Sequence, residues 1–96
     1  MDNNRIQQTI SKEMKDKISN ALYEKGAVQH CPRCNHATFS LADGYVMQQL
    51  QGTLGGFTIG GRAIPCVAVI CEHCGYVNFH AIGPLGLMEE AGNDEK

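Results

Sequence analysis

The chain has no tryptophan, no long apolar run and almost no charge through its middle, and each absence narrows what it can be. A bilayer-spanning helix needs about 20 consecutive apolar residues; none is present, so no membrane role is expected. The opening residues, MDNNRIQQ, are polar and lead into no apolar run, so no secretory signal peptide is read there. The expected setting is cytoplasmic, where thiols stay reduced and paired cysteines hold metal more often than they form disulfides. Between residues 31 and 88 the only charged side chains are Arg33, Arg62, Asp43 and Glu72. Residues 1–30 carry five basic and four acidic side chains, and residues 89–96 carry four acids and one lysine. With a net charge of −2 there is no basic stripe of the kind that neutralises phosphates. Also missing are an acid–base pair, a phosphate-binding loop and an open metal position, so neither enzymatic activity nor a small-molecule substrate is expected.

What is present is sulfur in pairs. A chain of 96 residues makes one modest domain, burying only about 60–65% of the surface its unfolded form exposes, so a covalent or metal staple is useful. Residues 31–34 read CPRC and residues 71–75 read CEHCG. In each, a tight turn presents two sulfurs to one ion while backbone amides donate to those sulfurs. Pro32 pre-sets the first turn. Gly75 follows the second pair where a positive backbone angle is often required, and Asn35 holds the matching place after the first, asparagine being the next most tolerant residue. Thirty-six residues separate Cys34 from Cys71, enough for two strands and a hairpin. Cys31, Cys34, Cys71 and Cys74 are therefore expected to share one structural Zn²⁺ per chain, four thiolates suiting a tetrahedral d¹⁰ ion. Rubredoxin-like iron is the nearest alternative, since four thiolates bind iron readily. A thioredoxin-type dithiol needs a βαβ setting that the pattern lacks. His30, His36 and His73 neighbour the ligands and are read as exposed or supporting imidazoles, with replacement of a ligand as the other reading. Cys66 lies in an apolar run and is expected to be buried as a small hydrophobe; a nucleophilic Cys66–His80 pair has no supporting signature.

Around these pairs the hydrophobic pattern suggests three segments. Ile6, Ile10, Met14, Ile18 and Leu22 recur every fourth residue, predicting an amphipathic helix over about residues 4–25, capped by Asn3 or Asn4 and stopped at Gly26. Its stripe either packs on the rest of the domain or zips against another chain. Phe39 and Leu41 alternate with Thr38 and Ser40 as a strand, and Tyr45 to Leu54 suggests a further one. GTLGGFTIGG, residues 52–61, predicts tight reversals at Gly55-Gly56 or Gly60-Gly61. IPCVAVIC, residues 64–71, is apolar on both alternating faces, with Pro65 confined to the strand's start or an edge. Val77, Phe79 and Ala81 then alternate with Tyr76, Asn78 and His80, a half-buried strand with a polar face. GPLGLM, from Gly83, is expected to turn and tuck apolar side chains back.

CPRC, a GYV segment, a glycine-rich stretch, IPCVAVICEHCG and a closing LGL together resemble zinc-ribbon proteins, and more closely a family of small bacterial and phage zinc-ribbon proteins. The resemblance covers about residues 30–88. It implies a three-stranded antiparallel ribbon with rubredoxin-like knuckles, Cys31 and Cys34 on one and Cys71 and Cys74 on the other. The expected fold is thus a small α+β metal-stabilised domain: an N-terminal helix in residues 1–28, a zinc-ribbon domain in residues 29–88 and an acidic disordered tail in residues 89–96. Zinc ribbons bind proteins, bind nucleic acid or scaffold, and the fold alone does not choose. The uncharged ribbon, whose strand 64–71 needs a cover on each face, favours a protein-interaction module, self-associating or docked on a partner protein. The alternative is a small nucleic-acid-associated regulator within a larger complex, with Tyr45, Phe57, Tyr76 and Phe79 as stacking candidates.

Overall fold

The computed structural model describes residues 9–27 and 29–94. The elements in chain order are α1 (Lys12–Glu24), β1 (Phe39–Gln49), β2 (Ala63–Cys71), β3 (Val77–Ala81) and α2 (Met88–Asp94). The three strands form one antiparallel sheet in the order β1-β2-β3, giving a small α+β domain. The helix starts later than its apolar repeat predicts. Ser11 is the N-cap, its hydroxyl accepting from the Met14 amide at 3.1 Å. Ile6 and the proposed caps Asn3 and Asn4 lie outside the described residues. The C-terminus ends as predicted: Gly26, at φ 75°, donates to Tyr23 and Ala27 donates to Leu22, the paired bonds of a Schellman motif.

Which face of the sheet is covered follows from register. Phe39, Leu41 and Tyr45 of β1 stand opposite Cys71, Val69 and Val67 of β2, so all six share one face. Ile10, Met14, Ile18 and Leu22 lie on this face and form the core with Val67, Val69, Ile82 and Ala91. The stripe therefore packs on its own domain. Leu85 and Leu87 fold back on the same core, as the LGL segment predicts. The disordered tail expected over residues 89–96 is corrected through Asp94, which ends α2, with Ala91 buried in the core; residues 95–96 lie outside the described residues.

Three further details differ from the sequence pattern. The two strands expected from residues 39–54 are a single strand with a bulge, in which Ala42, Asp43 and Gly44 face Ala68 alone. The bulge serves α1: the Asp43 carbonyl accepts from the Ile10 amide at 2.7 Å, and the Asp43 carboxylate pairs with Lys15. The reversal between β1 and β2 is an exposed loop over residues 50–62 instead of a tight turn. Gln51 organises it, its side-chain oxygen accepting from the Thr58 amide and its nitrogen donating to the Thr53 carbonyl. Finally, β3 shows its apolar residues outward. Val77 and Phe79 are 41% and 51% exposed, while Asn78 and His80 lie half-buried on the helix-covered side and bond to each other at 2.6 Å.

Pro65 is tolerated in the central strand for a local reason. Its carbonyl accepts from Ile82, so its nitrogen, on the same side, faces the chain beyond Ala81, the last residue of β3. The reciprocal bond, from residue 65 back to Ile82, is the one proline cannot make, and it falls just past the end of β3 instead of inside the ladder.

Candidate metal centre

Antiparallel pairing brings the two cysteine pairs together. Phe39, five residues after Cys34, pairs with Cys71, which ends β2, so each turn sits at the same end of the sheet. The two turns repeat one hydrogen-bond pattern. Cys31 donates to the His36 carbonyl and its own carbonyl accepts from Asn35; Cys71 donates to Tyr76 and its carbonyl accepts from Gly75. Asn35 and Gly75, the residues that the sequence marks at these places, have φ of 68° and 82°. Both are in the left-handed region that asparagine and glycine tolerate. Arg33 joins the knuckles by lying over the Tyr76 ring, 5.7 Å from its centroid.

The four sulfurs lie within 4.8 Å of one another. Across the knuckles, Cys31 Sγ is 3.8 Å from Cys74 Sγ, and Cys34 Sγ is 3.6 Å from Cys71 Sγ. Both separations are far beyond the roughly 2.05 Å of a disulfide, and the cysteines are free thiols. They match a different object. Four thiolates held about 2.3 Å from a central ion occupy a tetrahedron with edges of about 3.8 Å. The donor set and its spacing thus fit a single four-coordinate metal ion, with all four positions supplied by protein. Cys31 and Cys71 are buried, Cys34 is half-buried and Cys74 is exposed.

Without a cation the thiols influence one another strongly. Burial opposes ionisation of Cys31, yet the amides of Arg33 and Cys34 and the Cys74 thiol hold it below the usual thiol range. The Arg33 amide lies 3.3 Å from Cys31 Sγ, the donor-to-sulfur contact expected of a metal knuckle. The Cys74 amide, with further help from His73, outweighs burial and brings Cys71 down to about 7. Cys34 goes the other way. The His36 amide favours its thiolate, but burial and the sulfurs of Cys71, Cys74 and Cys31 push it up to about 12. A positive ion at the centre relieves that mutual repulsion, which is why metal binding and deprotonation proceed together.

Cys66 stands apart from this cluster. It is buried on the opposite sheet face, between Val46 and Ala81 in register, with its thiol 3.6 Å from the Ile64 carbonyl. His80 pairs with Val67 and so points to the other face, which separates the two members of the unsupported nucleophile pair. Cys66→Ser is expected to keep full metal stoichiometry in elemental analysis; loss of metal would show that the ligand set is wrong.

The histidines divide. His30 is exposed. His36 and His73 stack face to face, with ring centroids 3.6 Å apart and planes 13° off parallel. Their pairing is not visible in the sequence, where 36 residues separate them. It becomes inferable only once both knuckles are placed around one centre. Among the described residues no helix is long and apolar enough to cross a membrane. Compared with known proteins, the chain significantly matches no family model, no curated protein and no solved structure.

Proposed function

We propose that this protein is a zinc-stabilised interaction module of the zinc-ribbon type, in which Cys31, Cys34, Cys71 and Cys74 hold one structural Zn²⁺ and the uncovered sheet face binds a second copy of the chain. Zinc is preferred because four thiolates complete its tetrahedron and leave no position for a reacting group. In this reading the metal closes the base of the sheet and performs no chemistry.

The observation that carries the reading is the composition of the face turned away from α1. By register it presents Val46, Ile64, Cys66, Ala68, Ile70, Val77, Phe79 and Ala81, with Ser40 and Gln48 at its edges. None of these is charged. Apolar β-sheet faces of soluble domains are ordinarily covered, and here Phe79, Val77 and Ile64 stand out into solvent. A face without charge or hydrogen-bonding side chains at its centre is best matched by another of the same kind, and a two-fold axis supplies one. Covering them contributes at most about 2.5 kcal/mol for Phe79 and about 1.5 kcal/mol for Val77, at about 25 cal/mol per Å² of apolar surface. The loop at residues 50–62 extends the same character, with Leu54, Phe57 and Ile59 almost fully exposed.

Sedimentation over a concentration series tests this. The native chain is expected to dimerise, and Phe79→Glu to remain monomeric, because a charge inserted in an apolar interface loses its hydration without gaining a partner. Monomeric behaviour of the native chain at all concentrations sinks self-association. A salt-sensitive shift on mixing with nucleic acid would instead favour the regulator reading. Against it stand the sparse basic side chains of the ribbon and the net −2 that four thiolates leave on a zinc centre.

A further inference from the structure

Two exposed imidazoles meet beside the sulfur cluster, His36 from the first knuckle and His73 from the second. The ligating atoms of Cys34, His36 and His73 lie within 4.8 Å of one another. His36 is also set in a particular form. Its Nδ1 is 3.2 Å from the Cys34 carbonyl. A carbonyl only accepts, so Nδ1 carries the proton and Nε2 carries the lone pair. That is the arrangement by which a backbone carbonyl usually orients a metal-binding imidazole.

We propose that Cys34, His36 and His73 form a second, solvent-open site for a zinc-class transition ion, sharing the Cys34 sulfur with the four-cysteine centre. The inference rests on the reading of that centre as a filled zinc site. Once four thiolates surround one dication, the cluster keeps a net −2, which draws a second cation toward it. Cys34, half-buried, has its sulfur within 4.8 Å of a ring nitrogen of each histidine, and a metal-bound thiolate retains lone pairs able to bridge. Two imidazole nitrogens and one sulfur select borderline ions such as Zn²⁺ over Mg²⁺ or Ca²⁺. Water completes the fourth position. The surroundings do not compete: the Glu72 carboxylate is engaged by the Ser40 hydroxyl, and Arg33 is held over Tyr76. His36 keeps its Nδ1 bond to the Cys34 carbonyl, while the exposed His73 ring tilts out of the stack to bring its nitrogen to the same ion without disturbing a buried contact. With three donors, one of them shared, the second ion binds more weakly than the first and exchanges with solvent.

Zinc titration of the full chain, read by native mass spectrometry and by histidine-ring NMR shifts, tests this. The native protein is expected to take one ion tightly and a second more weakly, with the second ion moving the His36 and His73 resonances. A His36→Gln, His73→Gln variant is expected to keep the first ion and its fold and to bind the second at least about tenfold more weakly, an outcome that adventitious surface binding does not produce. A single equivalent at saturating zinc with unmoved histidine signals overturns the proposal, as does retention of the second ion by the variant. Absence of even the first tight ion overturns the four-cysteine reading and the second site with it.

Discussion

Cys71→Ser is expected to lose metal and fold together. Cys71 is 1% exposed, ends the central strand, pairs with Phe39 and begins the second knuckle through its bond to Tyr76. Serine preserves the shape but offers a hydroxyl that stays protonated near neutral pH, a poor donor for a thiolate-preferring ion. Three sulfurs would then remain around an ion that needs four. Structural zinc supplies about 10–16 kcal/mol of folding free energy in small zinc-finger peptides, while entire domains are stable by about 5–15 kcal/mol. Losing most of the first exhausts the second. The core cannot compensate, because it is a single small cluster on one sheet face, made by the helical stripe with Ile82, Ala91 and the flanking Leu85 and Leu87. Far-ultraviolet circular dichroism and elemental analysis on the same sample check the result. A Cys71→Ser protein that unfolds cooperatively and carries no metal would show that the site is not structural.

Ile18→Ala is expected to cost about 3 kcal/mol, the middle of the range for truncating a fully buried branched side chain. Ile18 is, with Ile82, one of the two largest fully buried side chains among the described residues, and it lies within the helical stripe. Removing its outer carbons loses their transfer free energy and leaves a cavity that the rigid sheet below cannot fill. Phe79→Ala provides the contrast. Although phenylalanine is larger, its ring stands on the uncovered face, and the change should cost less than about 1 kcal/mol in the zinc-loaded protein. The comparison is made by chemical denaturation at dilutions where the chain is monomeric, since association through Phe79 would add stability by mass action. Equal costs at the two positions would mean that the Phe79 face is covered as closely as the Ile18 face.

Several features were legible in the sequence for reasons of short-range chemistry. The knuckles were readable because two thiols three residues apart can serve one ion only through a tight turn. Asn35 and Gly75 marked where those turns require a positive φ. The helical stripe and its Gly26 stop were readable for similar reasons, as the helical period and the left-handed cap are local properties. The helix start was less legible. An apolar residue every fourth position does not reveal that Ile10 is buried ahead of the helix, with its amide bonded to the β1 bulge.

The acidic end was misleading because charge suggests solvent, yet a single small residue, Ala91, is enough to seat one turn of α2 against the core. The Ala42-Asp43-Gly44 bulge was hidden by its own chemistry, since an Asp-Gly pair signals a hairpin more often than a bulge. In β3, alternation was visible but its direction was not. Period two assigns residues to two faces without saying which face meets α1. Register against Val67 and Val69 decides that, and it sends Asn78 and His80 inward and Phe79 outward.

Sequence alone thus determined the local objects of this protein: two sulfur-bearing turns, one amphipathic helix and a central strand apolar on both sides. Each depends on residues a few positions apart, within reach of one turn or one strand period. The spacing of the cysteine pairs also led to the expectation that four sulfurs converge, as they do, but only the tertiary structure decided that His36 meets His73 and that one sheet face is covered while the other is left open. Those relations join residues tens of positions apart, and strand register with knuckle placement sets them.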